Sequence, residues 1–418
     1  MKLVVVGQGY VGLPLAYSAC MAGHEVIGLD LSQTRVDKLN SGVSVVDDIS
    51  DIQIKQMLSA GYVASTDPSA YASAEVIIIC VPTPLASGAE PDLRAIQAAA
   101  AEISAWAKAG TLVVLESTTY PGTTATELVP RFKKAGFTVG QDLFVAYSPE
   151  RIDPGNKEFG IANTPKVVGA DDPQSLTKAQ DFYGTFIEEV VPVSGTAEAE
   201  LTKLLENTYR HINIGLVNEL AIVCRELGID VWEVIRAAAT KPFGFQSFSP
   251  GPGVGGHCIP IDPNYLNYRV KHLLNRPFRF VELAQDINSS MPAYVTKRVQ
   301  DLLNEKGKAV NGSTVLLLGI TYKANISDTR ESPANVLAQL LSDKGANLSF
   351  FDPNVQTWKV DGQPPLQRVE DLYSANQSAD ITVLLQPFTD GDFESLAESA
   401  SIFLDTRGAT KPHQAAQL

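Results

Sequence analysis

Short apolar runs alternate with helix-prone stretches along the first part of the chain. The run Lys2–Val6 is rich in valine, and four comparable runs follow it: Glu25–Asp30, Val76–Val81, Thr111–Glu116 and Phe144–Tyr147. Helix-prone segments, such as Leu13–Ala22 and Leu93–Lys108, lie between them. This alternation predicts an α/β domain built on a largely parallel sheet.

The pattern becomes helical after about residue 196 and returns to strand and helix near residue 304. A long helix is predicted over Ala197–Leu227, closed by Gly228. Further on, the sequence predicts a strand within 311–319, a helix at 332–344 and strands at 347–352, 380–385 and 401–405. The last ten residues are rich in Ala and Gln and are predicted to be disordered. The predicted fold class is therefore α/β, with two Rossmann-like doubly wound domains (1–195 and 304–418) joined by a central helical domain (196–303).

The first strand leads into Gly7-x-Gly9-x-x-Gly12, a pattern that is weak alone but here has a strand before it and a helix after it. Gly7 would allow a tight turn, Gly9 would let a pyrophosphate approach the backbone, and Gly12 would let helix and strand pack. Asp30 ends the next strand, where a carboxylate binds ribose hydroxyls and repels a 2′-phosphate. The sequence predicts a site for NAD rather than NADP; the alternative is a glycine-rich turn without a ligand.

A second glycine-rich loop, Gly251–Asp262, contains Cys258, the one cysteine outside apolar or helical stretches. Four glycines just before Cys258 allow close backbone approach, and exposed backbone N–H groups could bind an anion beside a nucleophile. The alternative is a surface turn with a buried cysteine. The other thiols, Cys20, Cys80 and Cys224, are predicted to lie in the core.

Polar side chains follow several predicted strands and one helix. Thr83 and Thr118 are expected to face the nicotinamide half of a dinucleotide, because ligands of open α/β sheets bind at the carboxyl ends of strands. Further candidates for ligand contacts are Glu150 and Arg151, the helix stripe Lys203, Asn207 and Arg210, and the cations Lys323, Arg330 and Arg407. For each of them the alternative is an ordinary role on the surface or in an ion pair.

Composition narrows the range of partners. A net charge of −14 argues against nucleic acid or a membrane surface as a general partner, since phosphates would be repelled. Four widely spaced cysteines suggest neither a disulfide framework nor a zinc cluster, so no metal is expected. No apolar run approaches the length of a membrane span. A cytoplasmic protein is expected.

These motifs resemble those of the UDP-glucose and UDP-mannosamine dehydrogenase family over essentially the whole length. The matching stretches are Gly7-x-Gly9-Tyr-Val-Gly12-Leu-Pro, Pro82-Thr83-Pro84, Glu116-Ser-Thr118-x-Tyr-Pro-Gly-Thr-Thr, Ser148-Pro-Glu150-Arg, Lys203-x-x-x-Asn207-x-x-Arg210, Gly251-Pro-Gly-x-Gly-Gly-His-Cys258-Ile-Pro-x-Asp262, and Tyr322-Lys323 through Asp328-Thr-Arg330-Glu-Ser-Pro. The resemblance implies oxidation of a sugar C6 alcohol to a carboxylate in two NAD-dependent steps. Cys258 would capture the intermediate aldehyde, and the resulting thiohemiacetal would be oxidised to a thioester.

The resemblance also assigns roles to residues. The implied catalytic set is Cys258, Lys203, Asn207, Asp262, Thr118 and Glu150. The implied NAD-binding set is Gly7, Gly9, Tyr10, Val11, Gly12, Asp30, Arg35, Thr83, Thr118 and Arg330. Contacts to a UDP-sugar are implied for Glu150, Arg151, Lys203, Asn207, Arg210, Gly255, Tyr322, Lys323 and Arg407, and a homodimer through the central helices is expected.

Three departures bear on the substrate. Pro154 and Ile261 stand where the UDP-glucose branch has a second glutamate and a lysine, and Pro242 and Gly244 replace a His-x-Arg pair of the UDP-mannosamine branch. The motif Lys241-Pro-Phe-Gly-Phe is more similar to the branch acting on UDP-N-acetylglucosamine. That sugar is the expected substrate, with UDP-N-acetylmannosamine or UDP-glucose as alternatives, and Lys241 could supply a positive charge to the neighbouring subunit.

Two other functions are weighed against this one. A two-electron β-hydroxyacid dehydrogenase also combines a dinucleotide fold, a helical domain and a catalytic lysine, but it leaves Cys258 and the C-terminal domain without a role. A non-catalytic sensor of nucleotide sugar or NAD(H) would bind both ligands without making NADH.

Overall fold

The computed structural model describes residues 1–85, 90–152, 158–256, 259–411 and 414–418. It divides into two compact units. The first contains residues 1–206 and 264–276, and the second contains residues 207–263 and 277–418.

The first unit is built on a mostly parallel sheet of eight strands. In sheet order these are β3 (Val63–Ser65), β2 (Glu25–Leu29), β1 (Lys2–Val6), β4 (Val76–Ile79), β5 (Leu112–Leu115), β6 (Phe144–Tyr147), β7 (Lys166–Gly169) and β8 (Val190–Val193). Within this eight-stranded sheet, β6 and β7 form the one antiparallel pair among its described strands. The order reverses direction between β1 and β4, and in open α/β sheets ligands bind outside the strand ends at such a point.

Helices cover this sheet, and their ends follow from the sequence. They are α1 (Gly12–Met21), α2 (Gln33–Asn40), α3 (Asp51–Ser59), α4 (Arg94–Trp106), α5 (Val129–Lys134) and α6 (Pro173–Tyr183), with a 3₁₀ segment at Pro68–Ser73 and a π-helical segment at Thr124–Leu128. The side chains of Ser32, Ser50 and Asp172 each accept a backbone hydrogen bond at a helix start. One continuous core, including Leu3, Leu13 and Ile78, packs between helices and sheet.

A long helix, α7 (Thr196–Leu227), continues from the first unit into the second. It is followed by α8 (Val231–Ala239), α9 (Asp262–Leu274) and α10 (Arg279–Glu305). Except for its first two residues, α9 belongs to the first unit. The predicted helix at 197–227 is thereby confirmed.

The second unit contains a parallel sheet in the order β10 (Asn347–Phe351), β9 (Thr314–Leu318), β13 (Ile381–Leu384), β14 (Phe403–Asp405) and β15 (Ala416–Gln417). The strands β11 (Thr357–Trp358) and β12 (Leu366–Gln367) pair antiparallel to form a separate two-stranded ribbon. The remaining helices are α11 (Pro333–Asp343), α12 (Leu372–Ser378) and α13 (Phe393–Ser399). Residues of α7, α8 and α10 share a core with this sheet, Val217, Trp232 and Met291 among them. The α/β class with parallel sheets is confirmed.

One prediction about the C-terminus is wrong. The described part of the last ten residues is not disordered: Ala416 and Gln417 pair with Leu404 and Asp405 as an edge strand, and the side chain of Leu418 is buried. A strand of two residues leaves almost no periodic pattern in a sequence, so the sequence could not predict this pairing. Within the described residues, no helix has the length and apolar character needed to cross a membrane.

Candidate active site

The glycine loop after β1 has the geometry that a dinucleotide requires. Gly7 has φ +91°, and a Cβ there would lie 2.6 Å from the carbonyl oxygen of Cys80. A Cβ on Gly12 would lie 1.9 Å from the carbonyl oxygen of Gly7. A Cβ on Gly9, by contrast, would meet no described atom within 4 Å, so the packing of the protein does not require glycine there. The open space at Gly9, beside the start of α1, fits a pyrophosphate approaching the backbone.

Asp30 is a buried carboxylate beside this loop. It accepts hydrogen bonds from the backbone N–H groups of Gln8 and Ser32, each at 2.9 Å, and from the Arg35 guanidinium at 2.9 Å. Burial alone would raise the pKa of Asp30, but these donors more than compensate and hold the pKa below its ordinary value. Asp30 is therefore an anion at neutral pH, as the binding of ribose hydroxyls requires.

Thr83 and Thr118 lie together, as their positions after β4 and β5 predict. The Thr83 hydroxyl donates to the carbonyl oxygen of Thr118 at 2.7 Å, and the Tyr265 hydroxyl of α9 donates to the carbonyl oxygen of Thr83. Nothing in the sequence near Tyr265 indicated this contact. Thr83 and Thr118 follow the two strands on one side of the sheet reversal, where the nicotinamide half of a dinucleotide is expected.

Helix α7 holds the two residues that follow Ser148-Pro149. The Lys203 ammonium is buried and lies 2.8 Å from the carbonyl oxygen of Glu150 and 3.5 Å from its carboxylate. Arg151 forms an ion pair with Glu206 at 2.7 Å and donates to the carbonyl oxygen of Pro165. Glu150 and Arg151 thus pair with the helix rather than with each other.

Within the second unit, Asn207 and Asp262 form a buried pair. The Asn207 amide donates to the Asp262 carboxylate at 2.5 Å, and both side chains are at most 9% exposed. The predicted stripe of α7 is therefore not a solvated face at Lys203 and Asn207, whereas Arg210 is exposed.

The described part of the cysteine loop packs closely against the segments that follow β9 and β14 in the second unit. A Cβ on Gly255 would lie 2.8 Å from the Cβ of Tyr322, and one on Gly251 would lie 2.6 Å from the Arg407 guanidinium. Gly256 has φ +95° and donates its N–H to the carbonyl oxygen of Glu331. Close packing within the protein therefore requires glycine at these positions. Three residues that are predicted to contact the sugar, Gly255, Tyr322 and Arg407, take part in this packing. Cys258 lies outside the described residues, as does Pro154.

The predicted cations of the second unit differ in their surroundings. Arg407 donates to the carbonyl oxygen of Leu385 at 2.7 Å, and its desolvation lowers its pKa to about 10 although Asp405 lies nearby. Arg330 pairs with Asp328 at 2.7 Å and is largely exposed, which fits the ion-pair alternative. Lys323 follows β9 in the same loop as Tyr322.

A buried charged group near the first loop was not anticipated. The Glu116 carboxylate pairs with the Lys166 ammonium at 2.8 Å and accepts a hydrogen bond from the Tyr183 hydroxyl. A small cavity beside it is also lined by Val11 and Glu150. Burial raises the pKa of Tyr183 well above its usual range. No cluster of three or more His, Cys, Asp or Glu side chains suited to a metal ion occurs among the residues described.

Sequence comparison covers nearly all of the chain. Residues 1–187 match the NAD binding domain of the UDP-glucose/GDP-mannose dehydrogenase family, residues 197–290 match its central domain, and residues 316–412 match its UDP binding domain. The chain belongs to the UDP-glucose/GDP-mannose dehydrogenase family. It is an NAD-dependent oxidoreductase, and the resemblance found in the motifs is confirmed.

Individual relatives of this dehydrogenase differ in substrate. The chain is 34% identical to a UDP-N-acetyl-D-mannosamine dehydrogenase of Methanococcus maripaludis, over 90% of this chain and 84% of the relative. It is also 34% identical to a UDP-N-acetyl-D-glucosamine 6-dehydrogenase of Pseudomonas aeruginosa, over 84% and 83%. The solved UDP-D-ManNAc dehydrogenase of Pyrococcus horikoshii superposes with a TM-score of 0.90 at 30% identity, covering 100% of this chain and 98% of that one.

Proposed function

We propose that this dehydrogenase carries out the four-electron oxidation of the C6 hydroxyl of a UDP-N-acetylhexosamine, with UDP-N-acetylglucosamine as the substrate. The observation that supports this most strongly is the buried Lys203 ammonium held by Glu150. A buried ammonium is a costly feature unless it is paired, and it can stabilise negative charge that develops on a substrate oxygen.

Bound NAD supplies the acceptor for each of the two hydrides that leave the sugar carbon. The glycine loop with Tyr10 and Val11, the Asp30–Arg35 pair, Thr83 and Thr118 would hold it, and Arg330 is proposed as a further contact to NAD. Lys203 and Asn207, one helical turn apart on α7, would stabilise the alkoxide as the C6 hydroxyl loses its proton. Glu150 would orient Lys203, and Thr118 would complete the acid–base set.

Cys258 would make the second oxidation possible. Its thiolate adds to the carbonyl carbon of the aldehyde, the carbonyl oxygen gains a proton, and the resulting thiohemiacetal again has a hydride to lose. Loss of that hydride and the hydroxyl proton leaves a thioester. Water then cleaves the C–S bond to give the uronate and regenerates the thiol. Asp262, held by Asn207, would transfer protons and activate this water.

The choice of sugar depends on the motif at 241–245. The N-acetylglucosamine and N-acetylmannosamine relatives are equally identical to this chain, so overall identity does not separate the two epimers. Lys241 is exposed, and its ammonium lies 5.1 Å from the centre of the Phe243 ring. We propose that this exposed segment reaches the sugar of the neighbouring subunit, while Arg151, Arg210, Gly255, Tyr322, Lys323 and Arg407 contact the nucleotide sugar.

A panel of UDP-sugars tests the proposal. UDP-N-acetylglucosamine, UDP-N-acetylmannosamine and UDP-glucose are each incubated with the enzyme and NAD, and NADH and the acid product are measured. The proposal predicts the highest kcat/KM for UDP-N-acetylglucosamine, with uronate as the product. A preference for another sugar would reject the substrate, and formation of NADH without acid would reject the second oxidation. Replacing Cys258 by serine should abolish acid formation.

The organisation of the chain is part of the proposal. Residues 1–195 would bind NAD, residues 196–303 would supply the cysteine loop and the dimer interface, and residues 304–418 would bind the UDP-sugar. One face of α7 exposes large apolar side chains at helical spacing, namely Leu201, Leu205, Tyr209, Leu216, Val223 and Leu227. An exposed apolar stripe of this length suits a second copy of the helix. Light scattering should show that the wild-type enzyme is a dimer and that the Leu216→Glu variant is a monomer. We also propose that the enzyme is cytoplasmic, and cell fractionation tests this.

A further inference from the structure

Glu200 is a fully buried carboxylate that the proposed chemistry does not use. One carboxylate oxygen accepts from the backbone N–H of Thr124 at 2.8 Å and from the Thr124 hydroxyl at 2.7 Å, and the other accepts from the N–H of Gly122. Gly122 and Thr124 lie at the start of the π-helical segment that continues into α5. Glu200 therefore caps this helical segment from a different helix, since the first N–H groups of a helix have no partner within it.

The position of Glu200 on α7 connects it to the reaction. Glu200, Lys203 and Glu206 are spaced by three residues, so they lie along one face of the helix. Each holds a segment that follows a neighbouring strand: Glu200 holds Gly122 and Thr124 after β5, while Lys203 and Glu206 hold the segment after β6. A single helix face thus aligns the loops at the ends of two strands.

The turn that Glu200 holds begins at Thr118. The Thr119 and Thr123 hydroxyls are 2.6 Å apart, and the Thr123 hydroxyl also donates to the carbonyl oxygen of Tyr120 at 2.8 Å. At its other end, the carbonyl oxygen of Thr118 accepts from Thr83. The turn 118–124 is therefore tied at Thr118 to the loop that follows β4 and at Gly122 and Thr124 to α7 through Glu200, and its own hydroxyls bridge the middle.

We propose that Glu200 is a positioning residue of the dehydrogenation, whose carboxylate fixes the 118–124 turn and thereby sets Thr118 relative to Lys203. This proposal rests on the roles proposed above for those two residues. A misplacement of about 1 Å in a reacting group can lower a rate by about 100-fold, so a buried anchor within the same compact unit is mechanistically significant.

The charge of Glu200 is sensitive to pH near neutrality. The pKa of Glu200 is raised to about 7: burial is the largest cause and the Asp171 carboxylate adds to it, while the hydrogen bonds from Thr124 and Gly122 act in the opposite direction. The adjoining elements also carry other charged groups, among them Arg269 of α9, whose guanidinium lies against Gly122, Lys203 and Glu198 of α7, and the Glu127–Arg131 ion pair of the segment that Glu200 caps. Protonation of Glu200 removes part of its capacity to accept hydrogen bonds and should loosen the turn.

Glu200→Gln tests the proposal, with Glu198→Gln, an exposed position on the same helix, as the matched control. We expect kcat of Glu200→Gln to fall about 10-fold above pH 8, because the substitution removes one hydrogen bond to a charged group. The ratio of wild-type to variant kcat should shrink toward one below pH 6, where wild-type Glu200 is itself protonated. An unchanged kcat, or a loss of the same size at every pH, would overturn the proposal.

A second pair of variants covers the case in which Glu200→Gln does not fold. Thr124→Ser keeps the hydroxyl donor and should retain wild-type kcat, whereas Thr124→Val removes it and should lower kcat several-fold; equal kcat values for the two would overturn the proposal. Amide hydrogen exchange at residues 118–124 provides a readout independent of turnover. If wild-type enzyme makes no NADH from any UDP-sugar, the proposed function fails, whereas unchanged exchange in the Glu200→Gln or Thr124→Val variant rejects the anchor itself.

Discussion

The Asn207 side-chain amide donates a hydrogen bond to the Asp262 carboxylate at 2.5 Å, and both groups are buried. Asn207 lies on α7, and Asp262 begins α9 directly after the cysteine loop. A buried carboxylate held by an amide is fixed in position while it keeps lone pairs that can accept a proton.

Asp262→Asn should lower kcat by about 100-fold or more, since a positioned acid–base group contributes roughly 10²–10⁴-fold. The variant keeps the shape of the side chain, so its thermal unfolding midpoint should stay close to that of wild type. Steady-state NADH formation with the preferred UDP-sugar measures the effect. Asp286→Asn, an exposed position on α10, is the control and should be fully active. Asp262→Asn with wild-type kcat would remove Asp262 from the catalytic set.

Asp30→Ala should shift cofactor preference toward NADP. The substitution removes a buried anion that would repel a 2′-phosphate and releases the Arg35 guanidinium, now 2.9 Å from Asp30, to bind that phosphate. Hydrogen bonds to charged groups contribute about 1.5–3 kcal/mol, so the ratio of kcat/KM for NADP over NAD should rise about 10- to 100-fold. Asp37→Ala, an exposed change on α2, should leave the ratio unchanged. An equal ratio in Asp30→Ala would contradict the assignment of the ribose site.

Lys166→Met should destabilise the first unit by about 3–5 kcal/mol, because it leaves the buried Glu116 carboxylate without its cation. The double variant with Glu116→Gln should recover most of that loss, since no unpaired charge remains. Chemical denaturation midpoints of the two variants, compared with the exposed control Lys178→Met, measure the effect. If the double variant is no more stable than Lys166→Met, the charge on Glu116 is not the cause.

Stability should depend on pH through Glu200 with a defined sign. The folded-state pKa of about 7 lies above the value of about 4.3 expected in the unfolded chain, so the folded state binds more protons between these values. The unfolding free energy contributed by Glu200 therefore falls by roughly 3 kcal/mol as pH rises from about 4.5 to 7, then levels off. The thermal midpoint of wild type relative to Glu200→Gln should drop over that interval. A difference that is constant with pH would contradict the raised pKa.

Features encoded by local spacing could be predicted from the sequence. The Gly7–Gly12 loop and Asp30 belong to one strand–helix–strand unit, and the structure brings them together as the motif requires. The alternation of apolar runs likewise gave the parallel strands.

Features that depend on distant residues could not be predicted. Glu200 meets Gly122 across 78 residues of sequence, and Lys166 meets Glu116 across 50. The hydrophobic periodicity of the sequence does not indicate such pairs, because it depends only on the helix or strand in which each residue lies. The burial of Lys203 was missed for the same reason: helical spacing defines which residues share a stripe but not what covers it.

The ratio of NADH formed to UDP-sugar consumed tests the central claim most directly. Limiting UDP-N-acetylglucosamine is converted to completion with excess NAD, and NADH absorbance is compared with the amount of sugar lost. Capture of the aldehyde by Cys258 predicts two NADH per sugar and uronate as the product, because a four-electron oxidation needs two hydride acceptors. One NADH per sugar, with a carbonyl compound as the product, would contradict the account.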